Sequence, residues 1–140
     1  MRKMMTSVLV TLALGTLATV PASASDPDPA ASPATGPALE TLLRAELEGF
    51  AGGEVIVSRV TIPPHTSLPK HWHPGEEFAY VLEGSCHLWQ EGEEDIVARE
   101  GDVLAVPLKQ GHTAVTRDEG VTILVFRVHE AGQPERVPVE

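Results

Sequence analysis

Between residues 71 and 77 the chain reads His71-Trp72-His73-Pro74-Gly75-Glu76-Glu77. Side chains alternate along an extended strand, so two histidines two residues apart share a face. Pro74-Gly75 is turn chemistry. A carboxylate just beyond that turn can come back alongside both rings. Two imidazoles and a carboxylate are hard-to-borderline donors suited to one divalent ion. His-x-His alone is a weak pattern, and a histidine on a strand is ordinarily a surface or satisfied residue; the turn and the carboxylate strengthen the case.

Something must hold these groups in place, and the surrounding pattern reads as β-structure. Val55, Val57 and, less cleanly, Ile62 bracket a first strand. Further strands are expected over 77–83, 86–90, 95–98, 102–106, 112–116 and 121–128, with Gly84 breaking the chain after the second. Short strands punctuated by Gly or Pro every 8 to 12 residues or so mark a sandwich or barrel. A small closed barrel covers its own edges and can enclose a small site. Residues 38–48 differ. Leu39, Leu42, Leu43 and Leu47 stand at helical spacing, with Pro37 suited to a first turn and Gly49 to a stop. The expectation is one short amphipathic helix, with its lead-in, over 38–52. The barrel then spans 53–130, and 131–140 is a C-terminal tail.

His71-x-His73-x3-Glu77-x6-Gly84 resembles the first motif of the cupins, and Gly101-x5-Pro107-x4-His112 resembles the second. Residues 85–100 separate the two. The resemblance covers about 54–130. It implies an all-β fold, a single cupin jelly-roll barrel (a double-stranded β-helix) holding one metal. It also implies that His71, His73, Glu77 and His112 are the ligands. Glu76 stands one residue short of the family spacing, so Glu77 is preferred. Three positions depart from the family pattern. His65 stands where a glycine usually precedes the first motif. Lys109 replaces the glycine two after Pro107, with Gly111 able to take over the turn. Thr116 replaces an asparagine that is a familiar support for the ligands. His65, His87 and His129 match no motif position. Lys70 and Lys109 flank the motifs and could draw in an anion, although solvated side chains are the ordinary reading.

The remainder of the chain bears on where the protein works. Arg2 and Lys3, an apolar stretch over 4–20 and Ala22-Ser23-Ala24 have the layout of a secretory signal cut after Ala24. The apolar stretch is short for a membrane span and no positive stop follows it, so no stable anchor is expected. Residues 25–37, with four prolines among small residues, read as a disordered linker. The whole chain carries a net charge of −10. Removing the signal leaves eight basic against twenty acidic residues, a net −12. That excludes nucleic acid and anionic membranes as natural partners. The single cysteine, Cys86, excludes an internal disulfide framework. If exposed, its thiol could oxidise or link two chains; if buried, it is inert filler.

Three imidazoles and one carboxylate leave two positions of an octahedral ion free, which suits Fe, Mn or Ni; Zn would use the same ligands with fewer open positions. Outside the cytoplasm the affinity order favours Cu and Zn over Mn and Fe, so a mixed or Zn/Ni/Mn occupancy is expected rather than clean iron. Three functions remain open: a metal-dependent enzyme (a dioxygenase, isomerase, decarboxylase or lyase), a metal- or small-ligand-binding module, and a barrel stapled by its metal. A catalytic site should add an acid or base. Tyr80, Glu83 and Cys86 are nearest in sequence, and packing is the simpler reading for each. The partner is a small-molecule ligand or substrate. The apolar strands over 78–82 and 121–128 could cover each other within one barrel or pair two copies as a homodimer.

Overall fold

The computed structural model describes residues 36–139, so the signal segment and all but the end of the linker lie outside the described residues. Nine strands follow in chain order: β1 (Ala38–Glu46), β2 (Gly53–Ile62), β3 (His71–Trp72), β4 (Glu76–Gln90), β5 (Ile96–Arg99), β6 (Val103–Val106), β7 (His112–Val115), β8 (Val121–Glu130) and β9 (Val137–Pro138). No α-helix occurs among the described residues. All pairings are antiparallel, in the order β1-β2-β8-β4-β7-β3-β9, with β5 and β6 also on β4.

The helix expected at the start is therefore a strand. β1 pairs with β2 from Ala38↔Thr61 to Glu46↔Glu54, with a register shift between Thr41 and Leu43. Leu39, Leu42 and Leu43 are all exposed. A short helix is stable only when it buries an apolar face, and this segment buries none. Main-chain pairing with β2 satisfies its backbone instead. The apparent helical spacing of Leu39, Leu42 and Leu43 spans an irregularity in the strand.

β4 joins two expected strands into one of 15 residues. Glu77, Ala79 and Val81 face inward on its first half, and Cys86, Leu88 and Gln90 on its second. The inward phase moves from odd to even because Leu82 has no partner on β8: Val81 opposes Ile123 and Glu83 opposes Thr122. One unpaired residue shifts a period-2 pattern by one place. Gly84, at φ 75°, follows directly. The first half of β4 pairs with β6 and β8, the second with β5 and β7.

The inner faces of β2, β8 and β4 change character along their length. At one end Ile62, Val121, Ile123 and Val81 join an apolar core with Leu88, Ala98 and Leu104. At the other, register sets Glu54 opposite His129, and Glu77 opposite Arg127. All four are buried. The core is thus apolar at one end of the barrel and ionic at the other. The tail is part of the barrel as well: Val137 and Pro138 pair with Trp72 and His71 of β3.

Candidate metal centre

The three motif histidines meet at the ionic end. His71 lies on β3 directly opposite His112 on β7, and His73 follows β3 on the same face as His71. One ring nitrogen from each lies within 4.8 Å of the others, and all three residues are buried. The neighbouring Glu76 is exposed, whereas Glu77 is buried.

Each imidazole is held from behind by a main-chain carbonyl. His71 Nδ1 donates to Pro69 O at 2.8 Å, and His112 Nδ1 to Gln110 O at 2.9 Å. His73 Nδ1 donates to the carbonyl of Glu135, far along the chain in the tail. A nitrogen facing a carbonyl must carry the proton, so each neutral ring presents an Nε2 lone pair forward. Burial lowers the pKa of His71 to about 4, with the charges of His112 and His73 adding to that and the Pro69 hydrogen bond opposing it. Burial likewise lowers His112. Burial thus favours neutral, lone-pair-bearing rings at His71 and His112. His73 Nε2 is buried and makes no hydrogen bond among the described residues, although Glu77 Oε2 stands 2.9 Å away, so two electron-rich atoms face each other there. Three converging lone pairs, one of them orphaned, fit a bound cation.

Glu77 lies against this cluster. Its Oε2 is 2.9 Å from His73 Nε2 and its Oε1 3.8 Å from His112 Nε2. Arg127 Nε donates to the same Oε2 at 2.8 Å. Burial alone would raise the Glu77 pKa, but opposing influences, the Arg127 guanidinium among them, outweigh it and lower it to about 2. Glu77 is a carboxylate at any ordinary pH. To join the three histidines as a ligand it would share its charge between the ion and Arg127.

Two contributors escaped the sequence reading. Arg127 interrupts the inward series Val121, Ile123, Val125 on β8, and a charge in phase with an apolar face is the signal that could have marked it. Glu135 acts through its main-chain carbonyl, for which sequence holds no signal. The remaining histidines stand apart from the cluster. His65 is exposed, and His129 is buried with Nε2 3.6 Å from Glu54 Oε1. His87 is half-buried on the outward phase of β4. Tyr80 and Glu83 are exposed, and Cys86 is buried, with burial pushing its thiol pKa up. Lys70 sits 3.9 Å over the Trp89 ring. Thr116 takes a structural role: its Oγ1 accepts from Thr66 N at 3.0 Å and lies within reach of the Pro63 carbonyl, tying down the loop before β3.

The left-handed turns sit where the family glycines are missing. His65 at φ 53° and Lys109 at φ 59° are the only non-glycine residues with positive φ among those described. Gly111 has no positive φ, so Lys109 itself makes the turn, and its N–H donates to His73 O at 3.1 Å.

The cupin domain model matches residues 58–127. Comparison with curated proteins finds no match. Among solved structures the chain is similar to the DMSP lyase DddQ of Ruegeria pomeroyi DSS-3, at 25% identity and a TM-score of 0.57, covering 61% of this chain and 43% of that one. The chain thus spans less than half of that lyase. The polyketide cyclase RemF of Streptomyces resistomycificus is also 25% identical, with a TM-score of 0.53 and coverage of 61% and 62%. A cupin-like protein of Thermotoga maritima MSB8 has a TM-score of 0.60 at 18% identity, covering 75% and 77%, a likeness of fold.

Proposed function

Because the chain belongs to the cupin family, we propose that it is an exported cupin that binds one divalent metal through His71, His73, His112 and Glu77 and works on a small organic molecule beside it. The observation that carries this reading is the set of three Nδ1–H donations to backbone carbonyls, which turns every Nε2 lone pair toward one point. Such buried lone pairs are costly together unless something positive lies between them. A divalent ion there would supply Lewis-acid chemistry. The protein's own residues orient the rings, keep His71 and His112 neutral, hold Glu77 ionised and line the approach. The DMSP lyase and the polyketide cyclase among the similar structures support chemistry on a small molecule as a class, without naming the substrate.

A second reading, binding without turnover, is favoured by the barrel interior. Beyond His71, His112, Glu77 and Arg127, the small cavity behind the site is lined by apolar residues and Cys86, and no further acid or base among the described residues faces it. Exposed apolar residues on the outer face of β4 and β8, such as Phe78 (43% exposed) opposite Phe126 (38%), support a homodimer built on that face.

Metal content by mass spectrometry on residues 25–140 tests the central reading, beside a His71→Ala/His73→Ala control. About one metal per chain, lost in the control, is expected. A folded protein without metal in either form would overturn it. N-terminal sequencing of protein recovered from outside the cytoplasm should begin at Ser25.

A further inference from the structure

A second cavity of about 470 Å³ opens beside the histidines, with His71 and His73 in its wall. That volume suits a small organic ligand. The wall is divided by chemistry. Leu39, Val60 and Leu68 supply an apolar side, while Arg127, Arg136 and Glu135 supply a charged one. Two cations and one anion line this wall, with Glu77 paired to Arg127 from behind.

Arg127 is the informative residue. It is only 6% exposed, and its Nε is committed to Glu77. Its Nη1 is buried and has no hydrogen-bond partner among the described residues. Glu135 Oε2 stands 3.9 Å from it, too far for a hydrogen bond. Glu135 is itself drawn off by Arg44, which donates to its Oε1. A buried guanidinium with an idle N–H is costly unless a ligand completes it. The matching group is planar and anionic, and a carboxylate fits a guanidinium edge.

We propose that this cavity binds a small organic monocarboxylate. Its carboxylate accepts from Arg127 Nη1 with Arg136 adding charge, its apolar body lies along Leu39, Val60 and Leu68, and its far end reaches His71 and His73. The inference deepens the metal-site reading and rests on it only for what happens at that far end; the anchor uses the arginines alone.

The test is calorimetric titration of the mature chain with hexanoate and benzoate, each beside its neutral amide, in metal-free and metal-loaded protein of measured metal content. The acids should bind about tenfold or more tighter than the amides, in both forms. Arg136→Gln should weaken the acids and leave the amides unchanged. Glu135→Gln removes the competing carboxylate and should tighten the acids up to about fivefold. Arg127→Gln should abolish the preference, and because that variant loses the partner of Glu77, the two milder variants keep the test decisive if it fails to fold. Equal binding of acid and amide, no binding of either, or an acid preference untouched by both mild variants would each overturn the proposal. One metal per chain with no acid preference defeats this inference and spares the metal site; an acid preference without metal does the reverse.

Discussion

Arg127 and Glu77 face each other across the β4–β8 register, and the Nε–Oε2 hydrogen bond between them is 2.8 Å long in a buried setting. Removing one member of such a pair strands the other charge away from water. Arg127→Met should therefore destabilise the fold by about 3–5 kcal/mol, measured by urea unfolding. Glu77→Gln/Arg127→Met, which removes both charges, should recover part of that loss. A single variant as stable as the parent would show that water reaches the pair.

The same end of the barrel sets the response to acid. In the metal-free protein His71 has its pKa lowered from 6.5 to about 4, so between those values the unfolded chain takes up a proton that the folded one refuses. Stability then falls as pH drops from about 6.5 to 4. His112, lowered in the same direction, adds to this. Glu77, lowered from 4.5 to about 2, extends the loss below that window. Unfolding free energies across pH should show both windows, and His71→Ala should flatten the upper one.

Left-handed backbone at His65 and Lys109 costs an L-residue about 1–2 kcal/mol, which glycine avoids while losing some chain entropy. His65→Gly and Lys109→Gly should each raise stability by about 0.5–1 kcal/mol, read as a higher denaturation midpoint with an unchanged slope. A fall at Lys109 would show that its side chain makes a contact worth more than the strain.

The carbonyl of Glu135 holds His73, and the tail beyond it is tied to β3 by the two residues of β9 and to Lys70 by the Val139 N–H, which donates to the Lys70 carbonyl at 3.1 Å. Ending the chain after Pro134 should leave the barrel folded but weaken metal binding about 10- to 100-fold, the usual cost of losing a group that orients a ligand. Glu135→Ala, which keeps the carbonyl, should lose much less. Competition titration with a chelator separates the two.

Phe126→Asp should make any dimer built on the outer face dissociate, seen by sedimentation, while circular dichroism stays unchanged. A dimer surviving the substitution would place the contact elsewhere.

Much of this was legible beforehand because motif spacing and strand alternation are local. The His71/His73 pair and the strands after Gly53 follow from two-residue periodicity and turn residues, and Glu77 from the spacing of the cupin motif. Residues 38–48 misled because a strand carrying leucines around an irregularity copies helical spacing, and only pairing with β2 tells them apart. The long β4 was hidden because Gly84, ordinarily a break, serves as a bend within one strand. Arg127 was within reach of the alternation argument. The reach of the Glu135 carbonyl to His73 was not, since no side-chain pattern records where a main-chain oxygen goes.

The unpaired Leu82 on β4 has a consequence for how the gene can vary. The strand delivers Glu77 on one phase and Cys86, Leu88 and Gln90 on the other, and a single residue between them keeps both phases inward. Deleting one codon there would turn the second half of the strand inside out, exposing Leu88 and burying His87 and Trp89, although no residue of the metal centre had been touched. Insertions and deletions should be tolerated in the exposed turn 91–95 and rejected at 82–84. Length at that point should matter more to folding than residue identity.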